Sequence, residues 1–155
     1  MFFQYETPRL LLKVLRADCA PQVLDFYNRD KELFEMYEID RVPDFYTVKH
    51  LQKVLRYEYN MAVKSQLFRF YVFQKENPCR IIGTVCIHNI APAFYGSCEI
   101  GYKFSSEFHH MGYATEAVGF CTKLAFNELR MHKVTAVVHP CLLYTSPSPR
   151  DGATS

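Results

Sequence analysis

Residues 99–117 read Glu-Ile-Gly-Tyr-Lys-Phe-Ser-Ser-Glu-Phe-His-His-Met-Gly-Tyr-Ala-Thr-Glu-Ala. The stretch predicts a strand, a tight turn at Gly112 and the first turn of a helix from Tyr113. Such a unit aims several unpaired backbone N–H groups, carrying about half a positive charge, at one spot. That spot holds a phosphate or pyrophosphate without a basic side chain. The chain has no Gly-x-Gly-x-x-Gly and no Gly-Lys-Ser/Thr, so neither the dinucleotide fingerprint nor the P-loop accounts for it.

Working outward, Ser97 to Phe104 is the strand and Tyr113 to about Leu129 the helix. Ala117, Val118, Cys121, Leu124, Ala125 and Leu129 form one apolar stripe on that helix. Lys133 to His139 reads as the last clear strand. Upstream, Phe68–Lys75 and Arg80–Ile90 are strands joined by Glu76-Asn77-Pro78, a hairpin, and Pro92–Gly96 is a loop. Thr47 starts a helix to about Lys64, with Val48, Leu51, Leu55, Tyr59 and Ala62 at helical spacing. Residues 29–46, rich in acids and aromatics, read as an irregular connection. Asp18 is placed to cap a short helix that tolerates Pro21 in its first turn, with Val23, Leu24 and Tyr27 inward. Arg9–Leu15 reads as a buried strand.

The bulk numbers bound the function. A length of 155 residues predicts one domain, and 49% apolar with 22% charged residues is ordinary for a globular protein. Net charge is +2 and no Lys/Arg-rich run occurs, which argues against a nucleic-acid surface. No basic leader region or long apolar run is present, so no signal peptide or membrane partner is expected. None of the six cysteines forms Cys-x-x-Cys, and Cys86 and Cys121 sit in apolar patterns as core residues. The expectation is a reduced, cytoplasmic protein without a metal site; the adjacent His109 and His110 have no spaced partner ligand.

Four segments together carry a family likeness: Thr7-Pro8-Arg9-Leu10-Leu11-Leu12, Ile81-Ile82-Gly83-Thr84-Val85, Glu99-Ile100-Gly101-Tyr102 and Gly112-Tyr113-Ala114-Thr115-Glu116-Ala117. In this order the chain resembles the GNAT superfamily of acyl-CoA N-acyltransferases, and more narrowly the branch that acetylates ribosomal-protein N-termini. The resemblance implies an α+β fold (α/β by some schemes), with a central mixed, mostly antiparallel sheet flanked by helices. It also implies acetyl-CoA as co-substrate. The family signature Gln/Arg-x-x-Gly-x-Gly/Ala falls on His109-His110-Met111-Gly112-Tyr113-Ala114. Gly112 and Ala114 fit it, His109 replaces the usual first residue, and His110 stands where glycine is common. A side chain at 110 meets a backbone that needs an unusual φ. An ordinary helix-start glycine is the plain alternative for Gly112.

Under this resemblance Tyr102, Lys103 and Phe104 lie along the pantetheine arm, one of their backbone N–H groups meeting the thioester carbonyl. Residues His109, His110, Met111, Gly112, Tyr113, Ala114 and Thr115 surround the pyrophosphate. Glu99 is the candidate catalytic base, directly or through water, with an edge or surface Glu as the alternative. Glu116 favours the helix dipole rather than catalysis. Ser105 and Ser106 lack a paired His/Asp, and nothing marks Cys98 or Cys121 as activated, so direct attack in a ternary complex fits better than an acyl-enzyme. The acceptor is an amine, and an α-amine at a protein N-terminus, a ribosomal-protein N-terminus among them, is easier to deprotonate than lysine. Alternatives are a small amine (polyamine or aminoglycoside) or a non-catalytic acyl-CoA-binding module.

After Val138-His139-Pro140 the likeness stops. No Asn-x-x-Ser follows, and the last helix and strand pair of the family have no counterpart; Tyr144 is not assigned the acid role seen there. The expected organisation is an incomplete domain over 1–140 and a non-native or disordered tail over 141–155. Its Leu-Leu-Tyr-Thr-Ser-Pro-Ser-Pro-Arg-Asp string reads as translated adaptor sequence. Loss of that wall is expected to weaken acetyl-CoA binding and favour aggregation.

Overall fold

The computed structural model describes residues 1–35, 45–91 and 94–137. Among the described residues the sheet is six-stranded, in chain order: β1 (Gln4–Glu6), β2 (Leu10–Lys13), β3 (Phe68–Gln74), β4 (Asn77–Ala91), β5 (Ser97–Phe104) and β6 (Lys133–Val137). Every neighbouring pair is antiparallel except β5–β6, which is parallel from Ser97↔Lys133 to Gly101↔Val137. A parallel pair needs a crossover, and α4 (Tyr113–Asn127) supplies it. The other helices are α1 (Ala20–Arg29), the short α2 (Lys31–Glu35) and α3 (Val48–Val63). This is the mixed, mostly antiparallel sheet with flanking helices that the family resemblance implies.

Burial in β5 alternates strictly. Cys98, Ile100, Tyr102 and Phe104 face the cluster that holds Ala117, Val118, Cys121, Leu124 and Ala125 of α4. Glu99, Gly101 and Lys103 take the other positions, and the Lys103 ammonium lies 5.0 Å from the centroid of the Tyr27 ring in α1. On that side a second cluster joins Val23, Phe26 and Tyr27 of α1, Leu51 and Leu55 of α3, and Tyr71, Phe73 and Ile81 of the sheet. Leu10, Leu12, Ile82 and Ile100 are fully buried, each such side chain contributing about 1.5–3 kcal/mol.

Element starts follow local chemistry. The Thr47 side chain accepts from the His50 N–H at 3.1 Å and caps α3 where the sequence predicts. Four expectations need correction. Asp18 caps nothing: it lies inside a 3-10 turn (Ala17–Cys19), and α1 begins behind Cys19 with Pro21 in its first turn. Leu24 packs on the inner cluster but is only partly buried, and Phe26, which the reading omits, joins Val23 and Tyr27 as a fully buried inner residue. The connection 29–46 contains α2, because Phe34 packs on Phe26 and Tyr27. Finally, β1 is an added edge strand of three residues, too short to show a period. Residues 36–44, Pro92, Ala93 and everything from Val138 on lie outside the described residues, including the 141–155 tail and the expected end of β6.

Candidate functional site

The turn between β5 and α4 is held from three sides. Asp30, just after α1, accepts from the Ser106 amide at 2.7 Å and the Ser106 hydroxyl at 2.8 Å. Arg80 pairs with Glu107 in the 3-10 turn Ser106–Phe108 and lies over the Phe108 ring. His109 Nε2 donates to the carbonyl of Phe104, 2.9 Å away, closing the turn onto the end of β5. His109 therefore shapes the turn with its ring rather than presenting it.

His110 and Gly112 both adopt left-handed backbone, at φ +66° and +79°. The unusual φ anticipated at 110 is real, and histidine is among the residues enriched there. Gly112 is the N-cap of α4 and makes no side-chain cap bond, having none to make. The first bond of the helix runs from Glu116 N–H to the Gly112 carbonyl at 3.0 Å. The amides of residues 110–115 consequently donate to no partner among the described residues. A row of free N–H groups at the positive end of a four-turn helix has the geometry that can receive an anion through backbone alone.

Behind this row stands a side-chain clasp that local sequence reading does not disclose. Glu116 accepts from Thr7 Oγ1 at 2.5 Å, from the Arg9 amide at 2.9 Å and from Arg9 Nε at 2.6 Å. Arg9 Nη1 donates to the Met111 carbonyl at 2.9 Å, and the guanidinium lies 4.4 Å over the Tyr113 ring. Partial burial pushes the Glu116 carboxyl up, but the bonds from Thr7 and Arg9 outweigh it and hold the group below its ordinary pKa. Glu116 is thus an anchor between the first hairpin and the turn, beyond any dipole role. Both halves of the clasp sit in motifs that sequence reading singles out, the Thr7-Pro8-Arg9 opening and the Glu116 helix start, yet only the fold joins them.

The remaining named residues divide by face. Tyr102 and Phe104 are buried beneath α4, so only their main chain can meet a ligand. Tyr113 accepts from Gln74 Nε2 at 2.9 Å through its hydroxyl. Met111 is half exposed, and Ala114 and Thr115 lie in the first turn of α4. Glu99 is on the opposite face from α4, beside His88 of β4 in register, and accepts from Asn89 Nδ2 at 2.8 Å. The polar beat Thr84, Cys86, His88, alternating with Val85 and Ile87, is the sequence signal that marks His88 as a member of this face. Neither thiol near the sheet centre is activated: burial and Glu99 push Cys98 up to about 11, and burial raises Cys121. Among the described residues no cluster of His, Cys, Asp or Glu could hold a metal ion, and no helix is long and apolar enough to cross a membrane.

Known proteins share this fold. The family described as acetyltransferase (GNAT) domain matches residues 9–141. The Bacillus subtilis (strain 168) protein named "Probable N-acetyltransferase YjcK" is 28% identical over 131 residues, covering 84% of this chain and 72% of that one. The structure of ribosomal-protein-S5-alanine acetyltransferase from Vibrio fischeri aligns with a TM-score of 0.78 at 22% identity, over 86% of this chain and 72% of the other. Microcin C7 self immunity acetyltransferase MccE, solved in complex with acetyl-CoA and AMP, aligns with a TM-score of 0.74 at 15% identity, over 94% and 79% of the two chains.

Proposed function

Since this chain belongs to the acetyltransferase (GNAT) domain family, we propose that it moves an acetyl group from acetyl-CoA to the α-amine of a protein N-terminus. The single observation that carries this reading is the row of free amides at residues 110–115. The diphosphate of coenzyme A is the anion it would take, with the pantetheine arm running back along the main chain of Tyr102–Phe104. The described β5–β6 pairing ends at Gly101, so that stretch of β5 lies just past the last described rung.

Transfer is direct. The amine nitrogen attacks the thioester carbonyl, a main-chain N–H of the Tyr102–Phe104 stretch steadies the oxygen as charge develops, and the thiolate leaves. The raised thiols of Cys98 and Cys121 support this over an acyl-enzyme. Glu99 is the carboxylate beside the incoming amine, held in place by Asn89. An α-amine, with a pKa of about 7.7–8.0, costs about 1 kcal/mol to deprotonate at pH 7; lysine, at about 10.4, costs roughly 4–5 kcal/mol. A site with one carboxylate at the reacting end suits the former. The name of the Vibrio fischeri structure, which specifies a ribosomal-protein alanine, points the same way.

The test is thiol release from acetyl-CoA by the purified protein, with a short peptide bearing a free N-terminus and with spermidine. Release that depends on the peptide is expected. Release with spermidine alone would replace the acceptor, and acetyl-CoA binding without release to any amine would make the chain a binding module.

A further inference from the structure

A cavity of about 850 Å³ lies between the C-terminal end of α3 and strands β3 and β4. Tyr57, Met61 and Lys64 line it from the helix side, and Arg69, Cys86 and His88 from the sheet. We propose that this cavity receives the amine acceptor and that His88, on its wall, takes the proton the ammonium gives up. The proposal rests on the acetyltransferase reading above and adds the place and the base.

Geometry brings His88 to the reacting strand. His88 pairs with Glu99 across β4–β5, and its diagonal neighbour is Gly101. A side chain beginning at Gly101 would lie 3.5 Å from His88 Nε2. Because position 101 has none, the imidazole stands over bare β5 backbone, at the last described rung with β6. The same spot carries a bulge: His88 faces Glu99 while Ala91 faces Ser97, so β4 holds one residue more than β5 here. Asn89 absorbs it in left-handed backbone at φ +50° and turns its amide onto the Glu99 carboxylate. Bulges and left-handed residues of this kind gather where a side chain has to be aimed.

The charges around His88 suit the role. Burial lowers its pKa, Glu99 on β5 raises it, and Arg69 on β3 lowers it, with a net result below the ordinary histidine value. At neutral pH the ring is therefore free to accept a proton. Cys86 on β4, with Tyr57 and Lys64 from the helix side, completes the titratable groups facing the cavity. Arg69 is itself paired with Glu58 at 2.8 Å and donates to Thr84 Oγ1 at 3.1 Å. Among the described residues lining the cavity none is a carboxylate: Glu99 stands across β4–β5 from His88 at the reacting end, Arg69 is offset by Glu58, and Lys64 is left as the net cation of the lining. Such a lining repels polyamines and favours a peptide whose residues after the N-terminus are neutral or acidic.

The step balances. The ammonium passes one proton to His88 Nε2, which releases it through the cavity to water. The freed nitrogen pair forms the N–C bond, the C–S bond breaks with its electrons on sulfur, and the second amine proton goes to the thiolate. One amide, one thiol and one proton result.

The test measures kcat/KM against pH for a peptide beginning Ala-Glu, alongside the NMR titration of the His88 ring. In the wild type the acidic limb should coincide with that ring titration. His88→Gln should lose the limb and about a hundredfold in rate, with acetyl-CoA affinity by calorimetry unchanged. An unchanged pH profile in His88→Gln overturns the proposal. A second variant guards against a folding defect: Lys64→Glu, on the exposed rim, should raise KM for the acidic peptide and lower it for spermidine. KM values that do not move overturn the cavity assignment. Wild-type protein that binds no acetyl-CoA would sink the acetyltransferase reading itself, a result distinct from either failure.

Discussion

Two helices of this protein begin in opposite ways. Helix α3 starts behind Thr47, whose hydroxyl takes up the His50 amide, so its first turn is capped by a side chain. Helix α4 starts behind Gly112, which brings no cap, and its first amides stay open. The usual preference for Ser, Thr, Asp or Asn at this position is worth about 1 kcal/mol, and α4 forgoes it. The chain replaces the missing cap by tying Glu116, one turn further in, to Thr7 and Arg9. A helix start capped by its own side chain serves as scaffolding; an uncapped one braced from behind is where the proposed external anion would sit.

The largest expected effect comes from making α4 resemble α3. Gly112→Asp keeps a residue that tolerates left-handed backbone and caps helices well. Its carboxylate should occupy the amides and repel the diphosphate, lowering acetyl-CoA affinity by about a hundredfold, or roughly 3 kcal/mol. Because position 112 is left-handed and a Cβ there stands 3.3 Å from Arg9 Nη2, stability in urea should fall by about 1–2 kcal/mol. Full acetyl-CoA affinity in this variant, measured calorimetrically, would break the comparison.

Next is the brace. Glu116→Ala leaves Thr7 and the Arg9 amide without an acceptor and should cost about 2 kcal/mol in urea unfolding. The pH dependence follows from the lowered Glu116 pKa. Between the folded value and the ordinary carboxylate value the unfolded chain binds more protons, so stability rises with pH there. The contribution of Glu116 is present above the ordinary value and is lost as pH falls through the folded one. Acid should therefore loosen the β1–β2 hairpin from α4, seen as faster amide exchange, and Glu116→Ala should remove that dependence. Glu58 on the other face behaves oppositely: burial raises its pKa against the pull of Arg69 and Tyr71, so mild acid spares it.

Smaller effects sharpen the contrast. Thr47→Ala should cost about 1 kcal/mol of stability and leave acetyl-CoA affinity untouched, because the proposed diphosphate site is at the start of α4 and not of α3. His110→Gly should change stability by less than about 1 kcal/mol, since relief of left-handed strain offsets the entropy glycine loses on folding. An affinity loss in His110→Gly would show that the histidine ring, and not its backbone, holds the ligand.

What was legible in the sequence was whatever is local. The Thr47 start of α3, the Ser97–Phe104 bounds of β5 and the Tyr113 start of α4 coincide with the structure because caps, alternation and helical spacing act within a few residues. The open amides were equally readable, since a glycine helix start implies them. The clasp was not: Thr7 and Glu116 are 109 residues apart, and only the sheet order places them together. Nor was the pairing of His88 with Glu99, because a bulge at Asn89 sets that register and bulges shift every side chain past them. Asp18 misled for the reverse reason: a capping residue type was present, but the chain there turns as a 3-10 segment and the helix begins two residues on.

The most direct measurement is an amide NMR titration of the protein with acetyl-CoA carried to saturation. The largest shifts should fall on the backbone N–H signals of residues 110–115, with the first turn of α3 unmoved. Shifts centred elsewhere, with those signals unchanged, would contradict the account.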